Sequence, residues 1–354
     1  MTKNLNYFII TYGCQMNKAD SEKIAGWYES RGWQRAGKIK EADEIVVNTC
    51  SVRQSAEDRV FGLINNLKNL RFKSQIRKSS KPKIILTGCM LRYPLADLKK
   101  KLPVVDEFKK ISDFQVENPK RGSKIHAWVP IMEGCSHFCT YCVVPYARGP
   151  ERSRPFKEIV CEVEKLATRG YKQLTLLGQN VNSYGKDLKT SKFKNSFALL
   201  LRVLHEIPGI KKISFITSNP WDLTDEIIQA MSLPKIDRYL HLPVQSGDDE
   251  ILRRMNRPYT AKQYLDLIKK IRQKIPDIKI GTDIIVGFPG ETKKQFQNTF
   301  ALCKKAKFSV AYIAKYSPRI GTPAYKFKDD VPYQEKKRRW QILEKLINKS
   351  PKIK

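Results

Sequence analysis

Residues 134–142 read GCSHFCTYC, and this run decides the fold class. Cys135, Cys139 and Cys142 are separated by three and then two intervening residues, so one loop offers three thiolates rather than four. Structural zinc usually takes paired Cys-x2-Cys units or four protein ligands. A triple in this spacing better fits a 4Fe-4S cluster that leaves one iron open to a small molecule. His137 is the alternative fourth ligand for zinc, but inside such a loop it reads as a solvated or supporting side chain. The run follows HAWVPIM, residues 126–132, whose apolar character predicts a strand leading into the cysteine loop.

Toward the C-terminus come five more strand candidates: QLTLLGQN (173–180), KKISFITS (211–218), RYLHLPVQ (238–245), KIGTDIIVGF (279–288) and FSVAYIAKYS (308–317). A helical stretch separates each from the next, which makes six β/α units and predicts parallel pairing. Active residues of such folds gather at the carboxyl ends of strands. The polar residues there are Gln179, Asn180, Ser218, Asn219, Gln245, Ser246, Asp283 and Tyr316. Each has a plainer account as a helix cap or loop-bonding group.

Toward the N-terminus the pattern repeats three times. YFIITYGC, EIVVNTC and KIILTGC are β-branched apolar runs that end on Cys14, Cys50 and Cys89. Helical patterns follow over residues 21–33, 56–70 and 95–101, which predicts a parallel α/β sheet with ligands beyond its carboxyl edge. A lone strand-end cysteine is ordinarily a small buried hydrophobe. Three at successive strand ends read as converging soft ligands for an iron-sulfur cluster, with zinc as the competitor. Cys161 and Cys303 fall in amphipathic helical stretches and read as core-facing.

The chain has 354 residues, 41% of them hydrophobic, and carries 67 Lys and Arg against 35 Asp and Glu, a net charge of +32. That composition excludes a disordered or collagen-like chain and points to an acidic partner. Residues 59–92 hold nine basic and no acidic side chains, and residues 335–354 hold eight basic against two acidic, so both are candidate phosphate contacts. Arg148, Arg152 and Arg154 are read first as RNA phosphate ligands, with binding of a small-molecule carboxylate or pairing with nearby Glu as alternatives. No stretch reaches the roughly 18 apolar residues of a membrane span. The first apolar run also ends too early for a signal peptide, so a cytoplasmic location is expected and disulfides are not. A polar segment with Pro and Gly at 117–124 divides the chain, giving an N-terminal domain over 1–119 and a second over 120–354.

Cys-x3-Cys-x2-Cys with Tyr141 before the last cysteine resembles the radical S-adenosylmethionine (SAM) enzymes. The strings YGCQMNKADSE, VNTCSVR, LTGCM, GCSHFCTYCVVPYARGPERSR, LLGQNVNSYG, HLPVQSG, MNRPYT, DIIVGFPGET and YSPRIGTPA resemble the methylthiotransferases of that superfamily, of the tRNA-modifying MiaB type. The resemblance implies an open partial TIM-like (β/α)6 barrel behind the N-terminal parallel-sheet domain, and two 4Fe-4S clusters, one on Cys14, Cys50 and Cys89, the other on Cys135, Cys139 and Cys142. It implies SAM contacts from Tyr141, Gln179, Asn180, Ser218, Gln245 and Asp283. The superfamily's usual Glu is absent beside Gln179 and Asn180, while residues 241–245 stand where its ribose motif lies.

The reaction implied is methylthiolation of C2 of N6-isopentenyladenosine, 3′ of the anticodon in tRNA. One SAM is the methyl donor and a second gives the 5′-deoxyadenosyl radical. An unactivated aromatic C–H gives acid-base catalysis no purchase, so radical chemistry suits it. An unpaired loop base also leaves its stack cheaply. Partners implied are the tRNA anticodon loop, an electron donor such as flavodoxin or ferredoxin, and a sulfur source. The family ordinarily continues into a small RNA-binding TRAM domain, which this sequence does not reach. The alternatives are the same chemistry on ribosomal protein S12 or on threonylcarbamoyladenosine, or a noncatalytic zinc-dependent RNA-binding protein.

Overall fold

The computed structural model describes residues 5–52, 54–72, 81–188 and 196–349. They divide into two compact units. The first runs to residue 124 and also takes in residues 146–149; the second holds residues 125–145 and those from 150 onward.

The first unit contains β1 (Asn6–Thr11), α1 (Gln15–Glu29), β2 (Gln34–Arg35), β3 (Glu44–Thr49), α2 (Gln54–Phe72), β4 (Lys83–Gly88), α3 (Leu95–Lys101) and β5 (Glu107–Phe108). Its sheet is parallel throughout, in the order β2-β1-β3-β4-β5. Both faces are covered, which is why the strands read as continuous apolar runs. On β3, Ile45 and Val47 pack with Val60, Ile64 and Leu67 of α2, while Val46 packs with Tyr7, Ile24 and Tyr28 beside α1.

The second unit contains β6 (His126–Pro130), β7 (Met132–Glu133), α4 (Val144–Arg148), β8 (Arg152–Ser153), α5 (Phe156–Thr168), β9 (Gln173–Leu177), α6 (Ser196–Glu206), β10 (Lys212–Phe215), α7 (Asp225–Met231), β11 (Tyr239–His241), α8 (Asp249–Arg254), α9 (Ala261–Lys274), β12 (Lys279–Val286), α10 (Lys293–Ala306), β13 (Val310–Lys315) and α11 (Tyr333–Ile347). The short α4 ends in the segment 146–149 that belongs to the first unit. Two parallel three-stranded sheets, β6-β9-β10 and β11-β12-β13, are joined by a parallel bridge from Ile213 to Ile236, so six strands follow one another in sequence order as the six β/α units require. On β12, Thr282, Ile284 and Val286 are buried under the helices while Asp283 and Ile285 on the other face are half-buried.

Three expectations need correction. The first strand stops at Thr11, three residues short of Cys14, and α1 begins at Gln15 rather than residue 21. The reason is local: the Cys14 N–H donates to Asn17 Oδ1 at 3.2 Å, so the helix starts at the cysteine itself. Cys161 is exposed, because α5 buries Ile159, Val163 and Leu166 on the opposite stripe; Cys303 is buried as expected. The basic segments are partly structural. Lys336 is buried against Asp329 and Arg339 against Glu291, and Arg92 is buried beside Glu57. Residues 73–80, 189–195 and 350–354, which carry other parts of the basic and polar stretches, lie outside the described residues.

Candidate functional site

In the first unit, Cys50 and Cys89 directly follow β3 and β4, and Cys14 caps α1 after β1, all at the carboxyl edge of the sheet. Gly13 (φ +128°) lets two of these loops meet: a Cβ there would lie 2.8 Å from Cys50 Cβ. A pair of buried amides ties the same loops. Asn17 Nδ2 donates to Asn48 Oδ1 at 3.2 Å and to the Thr49 carbonyl at 3.0 Å, and Asn48 Nδ2 donates to the Asn17 carbonyl at 2.8 Å. Thr49 Oγ1 joins the next two loops, donating to the Thr87 carbonyl at 2.6 Å and accepting from Met90 N at 3.1 Å. Beside them Arg92 Nε donates to Ser51 Oγ at 2.6 Å, Ser51 Oγ donates to Glu57, and Tyr93 OH donates to Glu57 at 3.2 Å. Arg148 Nη2 donates to Asp20 Oδ2 at 2.7 Å. Burial pushes the Cys89 thiol up, against the pull of Arg148.

In the second unit the loop of Cys135, Cys139 and Cys142 leaves β7 through Gly134, whose N–H donates to Gln179 Oε1 at 2.5 Å. Thr140 N–H and Oγ1 donate to the carbonyls of Met255 and Arg254 at 3.1 and 2.9 Å, and Ala324 N–H donates to the Thr140 carbonyl at 2.8 Å. Asn256 Nδ2 donates to the His137 and Phe138 carbonyls, both at 3.2 Å. Burial drives the Cys135 thiol up to about 11 and the Cys142 thiol up to about 12. His137 Nε2 lies 3.0 Å from Asp222 Oδ2 and 2.9 Å from Asn180 Nδ2, which itself donates to Asp222 Oδ2 at 2.6 Å. Lys186 Nζ reaches Asp222 Oδ1 at 2.5 Å. Burial opposes ionisation of Asp222, but the bonds from His137, Lys186 and Asn180 outweigh it and hold its pKa down at about 2.

Arg257, like Asp222, is a residue that sequence reasoning missed. It is buried, with Nη1 3.6 Å from Cys139 Sγ and 3.3 Å from Asn219 Oδ1, Nη2 donating to the Pro243 carbonyl at 2.7 Å, and its guanidinium 4.6 Å from the Trp221 ring centre. Its string MNRPYT was in view, but nothing local in it signals a return to the cysteine loop.

Of the residues singled out from sequence, Gln179, Asn180 and Asn219 gather around the cysteine loop. Gln245 (φ +66°) adjoins Asp283 through the backbone, and Asp283 Oδ2 lies 3.0 Å from His241 Nε2. Tyr141 packs against Ile251, Met255, Phe288, Tyr316 and Ala324, while Ser246 and Tyr316 serve loop bonds to Thr299 and Ala324. Arg154 bonds Glu162 and the Pro130 carbonyl, both at 2.7 Å, and Arg152 is exposed with Glu133 at 3.6 Å.

A model of the radical SAM superfamily matches residues 129–303, and one described as Uncharacterized protein family UPF0004 matches residues 6–109. The chain is 44% identical to a tRNA-2-methylthio-N(6)-dimethylallyladenosine synthase of Clostridium botulinum, over 98% of this chain and 83% of that one. It is equally close to the synthase of that name from Dictyoglomus thermophilum, over 97% and 82%. The chain belongs to this radical SAM methylthiotransferase family. Among solved structures, the radical SAM methyltransferase TsrM from Kitasatospora setae shares the fold at a TM-score of 0.63 and 13% identity, over 91% of this chain and 77% of that one. Apo OxsB, a cobalamin-dependent radical enzyme, does so at 0.57 and 10%, over 98% and 56%.

The methylthiotransferase chain fits the cofactors its family implies. Each unit offers three soft thiols and no fourth cysteine in the same loops, the donor set of a cluster with one open iron. Among the described residues no three His, Cys, Asp or Glu side chains draw in around a single ion. Asn180 Oδ1, on a side chain that bonds His137 of the cysteine loop, is a buried polar atom with no hydrogen-bond partner among the described residues, as is Ser218 Oγ next to Asn219, and a site awaiting a polar ligand requires such atoms. Among the described residues no helix is long and apolar enough to cross a membrane.

Proposed function

We propose that this chain is a cytoplasmic enzyme that adds a methylthio group to C2 of N6-isopentenyladenosine beside the anticodon of tRNA. It would carry two 4Fe-4S clusters, use SAM twice, and draw on an external electron donor such as flavodoxin or ferredoxin and on a sulfur source. The observation that carries the reading is the N-terminal thiol trio. A radical SAM core uses Cys135, Cys139 and Cys142 alone, whereas Cys14, Cys50 and Cys89 at adjoining strand ends give a sulfur-transferring enzyme its separate site. The bound clusters and SAM supply hydrogen abstraction and sulfur transfer.

The protein holds and orients. Arg257, a fixed charge beside Cys139, is placed to take the SAM carboxylate. Gln179, Asn180 and Ser218 stand for its amino group and nearby polar atoms, and Gln245 with Asp283 for the ribose. Tyr141 supports the loop from the apolar side. The Asp222 network fixes His137 within the cysteine loop, so the loop keeps its shape before the cluster is assembled. The test is to reconstitute the protein with iron and sulfide, add SAM and dithionite, and analyse nucleosides of isopentenylated tRNA by mass spectrometry. The 2-methylthio nucleoside is expected. Its absence, with a methylthio product appearing instead on ribosomal protein S12 or on threonylcarbamoyladenosine tRNA, would overturn the choice of acceptor.

A further inference from the structure

We propose that Tyr312 is the platform on which the acceptor adenine stacks, a residue that decides which base reaches the reacting atoms; the inference rests on the tRNA methylthiotransferase reading above. Strands β11, β12 and β13 carry it. On them Leu240, Ile280, Ile284 and Ala311 pack under the helices, so His241, Asp283 and Tyr312 share the opposite face. Asp283 and Tyr312 are register partners on neighbouring strands, their backbones about 4.8 Å apart. His241 Nε2 donates to Asp283 Oδ2 at 3.0 Å, and its ring meets the Tyr312 ring at 62° with centres 5.6 Å apart, so one imidazole steadies both neighbours. The imidazole is held in turn by Tyr239, whose hydroxyl lies 3.4 Å from Nδ1. A Cβ at Gly281 would collide with that hydroxyl, so the glycine opens the space it occupies.

Tyr312 is 53% exposed. The interior of a closed β/α barrel is a packed core, so a large side chain half open on the inner face leaves room for a ligand. A lone aromatic on an outer surface would carry no such meaning. This one stands within β13, beside the carboxylate assigned to the SAM ribose. Hydrogen abstraction needs the acceptor carbon roughly 3–3.5 Å from the 5′ carbon of that ribose, which brings the base to this stretch of the sheet. A base taken out of its stack is held between aromatic or apolar side chains, and every base has a π-face to offer. Trp221, near the cysteine loop, has its ring taken up by Arg257, Tyr259 and His137.

The experiment uses the full chain, reconstituted with iron and sulfide, with SAM, dithionite and an anticodon stem-loop RNA carrying N6-isopentenyladenosine. Methylthio nucleoside and 5′-deoxyadenosine are both quantified over a range of RNA concentrations, and SAM binding is followed by equilibrium dialysis. Y312L should raise the KM for the RNA about tenfold and lower the ratio of methylthio product to 5′-deoxyadenosine, as the loss of one stacking partner requires. Y312F, which keeps the ring, should stay within about twofold of the parent in both. Y312S replaces Y312L should the latter not fold. Y312L matching the parent in KM and ratio, or Y312F failing as badly as Y312L, would overturn this inference alone. So would a loss of SAM affinity in Y312L with the ratio unmoved, since the ring would then serve the cofactor. A parent that makes no methylthio nucleoside on this RNA would overturn the tRNA reading and this inference with it.

Discussion

Asp222 shows how single residues hold the radical loop. Its pKa of about 2 lies below the ordinary 3.8, so its contribution is complete above roughly pH 4 and is lost as pH falls toward 2. The shift corresponds to about 2 kcal/mol. D222N should therefore lower the urea midpoint at pH 5, with the gap from wild type narrowing by pH 3. R257M should weaken SAM binding about 10–100-fold by equilibrium dialysis, the value of a charge-assisted bond to a carboxylate. The six cysteines were legible in sequence because their spacing and their place after apolar runs are local signals. Arg257, Asp222 and Arg148 were not: each is one polar residue whose partners lie 118, 42 or 128 positions away. Arg148 was first read as an RNA contact because nothing near it in sequence announces Asp20.

At the scale of elements, the alternation of strand and helix was legible because the parallel sheets bury their strands and helices such as α5, α6 and α9 carry an apolar stripe. What was lost were short pieces such as β2, β5, β7 and β8, two residues each, too brief to show a period. Gly88 closes β4 with φ +90°, and a Cβ would collide with the Thr49 carbonyl. G88A should cost at least the roughly 1–3 kcal/mol of a strained backbone position, measured by denaturant unfolding of apoprotein, and should lower iron uptake at the first trio. Helix α11 is pinned by Arg339 Nη1, 2.6 Å from Glu291 Oε2, both side chains buried. R339M alone should destabilise by about 3–5 kcal/mol, because it strands a buried carboxylate; R339M with E291L should recover most of that.

Across the whole molecule, a net charge of +32 makes salt the simplest probe of tRNA binding. If about six phosphates are contacted, raising salt from 50 to 200 mM should weaken binding roughly 10³-fold, as read by filter binding. The charge count was legible at once; its division between surface and interior was not, since Lys336, Arg339, Arg92 and Arg148 turned out to be buried cations, each beside a carboxylate. The return of residues 146–149 to the first unit also bears on how the chain is made. A nascent polypeptide that has left the ribosome only as far as residue 124 holds the whole five-stranded sheet, while Arg148, which bonds Asp20 at 2.7 Å, is still to come. The amino-terminal unit therefore gains its last bond only after part of its neighbour has emerged, and a gene fragment cut at that junction would yield the sheet without the Arg148–Asp20 bond.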